Sequence, residues 1–75
     1  MSQTVQIFVK LLAEGVDVWR PVQAVRESEG IYRIVEQPYD RDTEIWEFDP
    51  GDIVVCEVIE SSGGSILAAT RPSPR

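Results

Sequence analysis

Histidine is absent from this 75-residue chain, and cysteine and methionine occur once each. Without histidine, the chain lacks the side chain that most often acts as a general base and the commonest ligand of transition metals. No serine lies in a nucleophile motif, and a domain of this size has little room for a substrate cleft. The sequence therefore predicts a non-catalytic protein without a metal or another cofactor.

The single cysteine, Cys56, has no intrachain partner, so no disulfide can reinforce the fold. Small secreted domains usually contain several disulfides, and their absence here predicts a reducing, cytoplasmic location. No segment approaches the ~20 apolar residues of a membrane span, so we expect no membrane association. Because Cys56 lies in the apolar run 53–60, we predict a small core side chain rather than a reactive thiol.

Basic residues are scarce in the second half of the chain. Residues 36–60 contain nine acidic residues and one base, Arg41, whereas residues 1–35 have no net charge. A field of this sign repels phosphate backbones and attracts basic surfaces. Direct nucleic-acid binding is therefore disfavoured, and we expect the partner to be another protein with a basic surface.

The chain shows no helical period of useful length, and its apolar residues follow short runs with period two. These runs predict six strands, at residues 4–12, 16–25, 31–35, 44–48, 53–60 and 65–70. Residues 49–52 form the strongest turn signal, because Pro50 and Gly51 suit the two central positions of a type II turn. Pro21 cannot donate to a ladder and predicts a bent strand or an edge strand.

Six short strands in so few residues can bury a common face only by curling into a small barrel or a tight sandwich. The sequence therefore predicts an all-β fold, a small antiparallel barrel that comprises residues 1–70. Residues 71–75 contain two prolines and are expected to form a flexible tail. In the strand 44–48, Trp46 shares a face with Phe48, which predicts a buried indole.

Two patterns in the chain are similar to known proteins. Residues 48–55, with Pro50-Gly51-Asp52 before an apolar run, resemble the turn of Src-homology-3-like small barrels and of their nucleic-acid-binding KOW variety. The basic residues of a KOW module are replaced here by acids. A wider pattern at residues 14–22, 30–34 and 46–52 is similar to small uncharacterised bacterial proteins. This resemblance implies a stand-alone bacterial barrel and supplies no functional residue.

The acidic run and the nearby aromatic residues form the candidate protein-binding site. The predicted residues are Trp19, Tyr39, Asp40, Asp42, Glu44 and Glu47. The carboxylates would orient a basic partner, and an indole exposed beside a tyrosine would anchor it. Alternatively, the charge is a solvated face and the indole plugs one end of the barrel. The spacing of the acids resembles the start of a calcium loop, but Ile45 and Gly51 replace the glycine and glutamate required there.

Three functional hypotheses follow from these residues. The first is a protein-binding module with an acidic docking surface, in which the sheet edge beside Pro21 could also accept a partner strand. The second is a nucleic-acid mimic whose carboxylates occupy a basic groove in place of phosphates. The third is an accessory subunit that self-associates, and the chain is accordingly expected to be a monomer or a weak homodimer.

Overall fold

The structure, a computed structural model, describes residues 3–74 and contains five β-strands and no helix within them. The strands are β1 (Val5–Lys10), β2 (Trp19–Ser28), β3 (Ile31–Ile34), β4 (Ile53–Ser61) and β5 (Gly64–Pro72). Consecutive strands pair antiparallel, and a parallel contact between Phe8 and Ala68 closes the barrel. The prediction of an all-β fold, a small antiparallel barrel, is confirmed, with five strands instead of about six and one parallel contact between the first and the last.

The buried side chains of β1 follow the period-two alternation of the sequence. In β1, Ile7 and Val9 are buried, and Phe8 between them is on the opposite face. The core cluster consists of Ile7, Val9, Leu11, Val22, Ala24, Ile34, Trp46, Phe48, Val54, Cys56 and Ala69. Trp46 and Cys56 are only 4% and 5% exposed, so both predictions of burial are confirmed. The apolar interior is thus assembled from all five strands and from residues outside them.

The predicted turn at residues 49–52 is present and is held by two hydrogen bonds. The Asp52 amide donates to the Asp49 carbonyl at 3.0 Å, and the Asp49 amide donates to the Asp52 carboxylate at 2.8 Å. Gly51 has a φ of 95°, which matches the left-handed position that a type II turn requires. The turn directs the chain into β4.

The predicted strand at residues 44–48 is wrong. Its backbone forms one isolated β-bridge, between Trp46 and Leu11, and residues 44–48 are not part of a strand. A strand needs a neighbour along its length, and β1 ends at Lys10, so the pairing cannot extend. The alternation of residues 44–48 predicted correctly that Trp46 and Phe48 are buried. It did not predict the backbone structure, which is not a strand. Residues 35–52, between β3 and β4, therefore form one long connection, which we call the acidic connector.

The last strand extends further than the sequence predicted. β5 continues to Pro72, which pairs with Val54, and the Ser73 amide donates to the Ile53 carbonyl at 2.9 Å. The prediction that the strand stops before Arg71 is wrong, because a proline at the end of a strand removes only one donor from the ladder. Residues 1, 2 and 75, which belong to the predicted domain and tail, lie outside the described residues.

Pro21 lies where β2 has a neighbouring strand on one side. β2 pairs with β1 over residues 19–24 and with β3 over residues 24–28. The missing amide of Pro21 therefore falls in the half of the strand that β3 does not reach, as the prediction of an edge position required. This free half of β2 faces the beginning of the acidic connector.

Candidate functional site

The acidic connector contains the entire net charge of the chain. Seven acidic residues and Arg41 give it a net charge of −6, equal to that of the whole sequence. Six of the seven acidic residues are exposed: Glu36, Asp40, Asp42, Glu47, Asp49 and Asp52. The barrel strands and the other loops together are neutral. The negative field predicted for the second half of the chain is therefore concentrated mainly in one segment.

Backbone hydrogen bonds fix the connector to the barrel at its β4 end and near its middle. At its β4 end, the Gly51 amide donates to the Ile34 carbonyl at 2.6 Å. Near its middle, the Leu12 amide donates to the Ile45 carbonyl at 2.7 Å, and the Glu47 amide donates to the Lys10 carbonyl at 2.9 Å. The exposed carboxylates are consequently attached to an ordered backbone.

Gln37 joins the start of the connector to the free half of β2. Its side-chain oxygen accepts from the Gln23 amide at 3.0 Å, and its side-chain nitrogen donates to the Gln23 carbonyl at 2.9 Å. The Val35 amide donates to the same carbonyl at 3.2 Å. These contacts occupy backbone groups that an added strand would use, so the edge beside Pro21 is already partly covered.

An ordered aromatic stack lies in the middle of the connector. The rings of Tyr39 and Trp46 are stacked, with centroids 4.1 Å apart and planes inclined by 14°. The Trp46 amide donates to the Tyr39 hydroxyl oxygen at 2.6 Å, which fixes the phenol relative to the backbone. The Arg41 guanidinium carbon lies 4.3 Å from the centroid of the Tyr39 ring. A cation therefore contacts an aromatic ring that also packs on the buried indole.

Among the four predicted docking carboxylates, Glu44 is the least exposed. Its carboxylate accepts from the Trp46 indole nitrogen at 3.0 Å and forms an ion pair with Arg20 at 3.5 Å. The side chain is half-buried. Glu44 therefore orients the indole and connects it to β2, which is a structural role that the sequence pattern did not reveal.

Asp40 organises the tip of the connector through its backbone and its side chain. Its carbonyl accepts from the amides of Thr43 and Glu44, at 3.2 and 3.0 Å, and its carboxylate accepts from the Asp42 amide at 3.0 Å. Asp42, within this tip, and Glu47, three residues after it in the chain, are exposed. The hydrogen bonds of Asp40 thus define the shape of the tip, and the side chain of Arg41 makes no hydrogen bond within residues 3–74.

Trp19 lies apart from this stack. It is half-buried, is opposite Lys10 in the β1–β2 pair, and is not a member of the core cluster. With Ile59 and Glu60 it lines an open cleft of about 290 Å³, and Tyr39 is not part of that lining. The structure therefore places Trp19 with the β4–β5 hairpin, whereas Tyr39, Asp40, Asp42, Glu44 and Glu47 belong to the connector.

A larger cleft, of about 560 Å³, lies on another part of the surface. It is lined by Glu27, Ser28, Ile31, Ile53, Ser73 and Pro74. The carboxylate in the lining, that of Glu27, forms an ion pair with the Arg33 Nε at 2.7 Å, which compensates its negative charge. Sequence reasoning did not identify the cleft, because its residues come from separate parts of the chain.

The remaining chemical features of the described residues are few. Burial raises the pKa of the Cys56 thiol to about 11, which disfavours the reactive thiolate. Within residues 3–74, no three histidine, cysteine or acidic side chains are positioned to hold a metal ion. No helix in that part of the chain has the length and apolar character needed to cross a bilayer.

Fold and site together define a small closed β-barrel with an ordered acidic connector. The chain matches no protein-family model, no curated protein and no solved structure. Sequence reasoning missed Arg20, Gln37 and Arg41 as members of the site. Arg41 had a visible signal, because it is the one base among seven acids, but its contact with Tyr39 required the structure.

Proposed function

We propose that this chain is a non-catalytic binding module that recognises the basic surface of another protein through its acidic connector. The observation that carries the proposal is the concentration of the whole net charge in one segment with an ordered backbone. An exposed field of one sign accelerates and orients association with a surface of the opposite sign. Asp40, Asp42 and Glu47 form the centre of the proposed docking surface.

The distribution of ion pairs supports a binding role over a merely solvated face. Within residues 3–74, Glu44 is the one connector acid that forms an ion pair. Elsewhere on the barrel, three of the six acids are paired: Asp17 with Lys10, Glu27 with Arg33 and Glu57 with Arg71. The other six connector carboxylates thus repel each other without an ion pair in that part of the chain, and a basic partner would relieve that repulsion.

The proposal extends to the type and setting of the barrel. We assign it to the Src-homology-3-like small barrels of bacteria, supported by five strands in sequential order and by the turn at residues 49–52. We also propose a cytoplasmic location, which suits the unpaired Cys56. The module is proposed to act as a monomer or a weak homodimer, without direct contact to nucleic acid or membrane.

Binding of an oligolysine peptide across a salt series tests the charge requirement. We expect the affinity to fall as salt rises, because salt screens exposed charges. The connector variant Glu36→Gln, Asp42→Asn and Glu47→Gln should bind less tightly, by roughly 1.5- to 5-fold for each lost carboxylate at low salt. The matched control, Glu14→Gln, Glu29→Gln and Glu60→Gln, removes the same charge outside the connector.

The control decides whether location matters or only net charge. If the connector is the docking surface, the control variant should bind nearly as well as the unmodified protein. A flat salt dependence, or an equal loss in both variants, would contradict the proposal. With a natural partner captured from cell extract, displacement by duplex DNA would favour the nucleic-acid mimic over an ordinary protein-binding module.

A further inference from the structure

The ring of Tyr39 is covered on both faces. The centroid of the Trp46 ring lies 4.1 Å from that of Tyr39, and the guanidinium carbon of Arg41 lies 4.3 Å from it. At these distances one face cannot hold both groups, so indole and guanidinium occupy opposite sides of the phenol. The indole side is part of the core, whereas the Arg41 side is at the surface.

Arg41 contacts this ring although carboxylates surround it in the sequence. It is the only base in a connector with seven acids, yet it forms no ion pair within the described part of the chain. A guanidinium is planar and weakly hydrated, and it stacks on aromatic faces more readily than an ammonium does. One face of the Tyr39 ring therefore already binds a guanidinium group, that of Arg41.

The backbone around Arg41 is held by contacts that do not involve the Arg41 side chain. The turn at the tip is held by the carbonyl and the carboxylate of Asp40, which accept from Asp42, Thr43 and Glu44. The phenol is held separately, by its stacking on Trp46 and by its hydroxyl. Displacement of Arg41 would therefore leave a preformed aromatic face within the acidic connector.

We propose that the face of Tyr39 covered by Arg41 is a binding site for an arginine side chain of the partner, and that Arg41 occupies it in the free protein as an internal ligand. The inference rests on the proposed function and specifies its chemistry. The acidic residues attract the basic surface, and the ring then selects a guanidinium over an ammonium group. Arg41 lowers the affinity by competing for the same face.

Two peptides of equal length, oligoarginine and oligolysine, test this site when titrated into isotope-labelled protein. We expect the arginine peptide to bind more tightly and to shift the Trp46 amide signal, because that amide bonds to the Tyr39 hydroxyl. Replacement Arg41→Gln should tighten arginine binding by about two- to five-fold, the strength of an exposed cation–π contact. The control Arg26→Gln removes another exposed arginine that has no ion pair within residues 3–74.

The variants at the ring separate stacking from simple attraction. Tyr39→Phe keeps the aromatic face and should keep the arginine preference, whereas Tyr39→Leu should lose it while still binding both peptides in a salt-dependent way. Equal gains in Arg41→Gln and Arg26→Gln, or equal binding of both peptides by the unmodified protein, would overturn the inference alone. Salt-independent binding of both peptides would overturn the proposed function as well.

Discussion

The thiol of Cys56 lies in the apolar interior of the barrel, where burial raises its pKa from 9.0 to about 11. The thiol of the unfolded chain ionises at lower pH than that of the folded chain. The stability that the protonated, buried thiol contributes is therefore fully present below pH 9. It is lost as the pH rises from the unfolded-state pKa of 9.0 to the folded-state pKa of about 11. We expect the free energy of unfolding to fall by roughly 2 to 3 kcal/mol across this interval.

Urea denaturation of the protein and of Cys56→Ala at a series of pH values measures this effect. Other groups also titrate at alkaline pH, so the informative quantity is the difference between the two profiles. We expect the unmodified protein to lose more stability than the variant as pH rises. Parallel profiles, or rapid alkylation of the native thiol at neutral pH, would show that the thiol is accessible to solvent.

Single residues differ in how far the sequence predicted their roles. The burial of Trp46 was predictable, since it shares a face with Phe48 and apolar side chains of one face collect in a core. The role of Glu44 was not, because its partners include Arg20, which is distant in sequence. An exposed charge has the same local pattern whether it meets solvent, an arginine or an indole.

Among the elements, the turn at residues 49–52 determines where the connector ends. Gly51 has a φ of 95°, which is strained for residues with a side chain. We expect Gly51→Ala to reduce the free energy of unfolding by about 1 to 2 kcal/mol, measured by urea denaturation. The space around Gly51 is adequate, because an added carbon would be 4.0 Å from the Glu36 carboxylate.

Gly15→Ala is the matched control for this turn. Gly15 is exposed, does not have a left-handed φ, and has no atom within 4 Å of an added carbon. We therefore expect a change within about 1 kcal/mol, including a small gain from the restricted unfolded chain. Equal losses in both variants would mean that the left-handed conformation of Gly51 is not what the turn requires.

The predicted strands are present in the structure where a neighbouring strand pairs with them along their length. The β4 region was assigned correctly, but Val58, two residues after the buried Cys56 and so on the same face of the strand by alternation, is 68% exposed. β4 pairs with β3 over residues 53–55, so the later part of β4 lacks that neighbour. Period two describes the two faces of a ribbon and carries no information on what covers each face.

For the whole molecule, the uneven charge should reduce stability at low salt. The connector carries a net charge of −6 with one ion pair of its own, and mutual repulsion favours the expanded unfolded chain. We expect the melting temperature to rise by about 2 to 8 °C as salt screens this repulsion. The connector variant Glu36→Gln, Asp42→Asn and Glu47→Gln should melt higher at low salt and respond less to added salt.

The same experiment relates stability to the proposed binding role. A variant that folds more stably but binds a basic peptide less tightly would show that these carboxylates are maintained at a cost to the fold. The control variant Glu14→Gln, Glu29→Gln and Glu60→Gln should retain more of the salt response. If the melting temperatures of the unmodified protein, the connector variant and the control variant respond equally to salt, the repulsion does not come from the connector carboxylates.

The sequence by itself determined the all-β character, most strand positions, the burial of Trp46 and Cys56, the turn at residues 49–52 and the position of the negative charge. Each of these depends on residues that are close together along the chain. The tertiary structure decided the closure through Phe8 and Ala68, the loss of the strand at residues 44–48, and the contact of Arg41 with the stacked Tyr39. These depend on the spatial arrangement of neighbouring segments and side chains, which local periodicity does not specify.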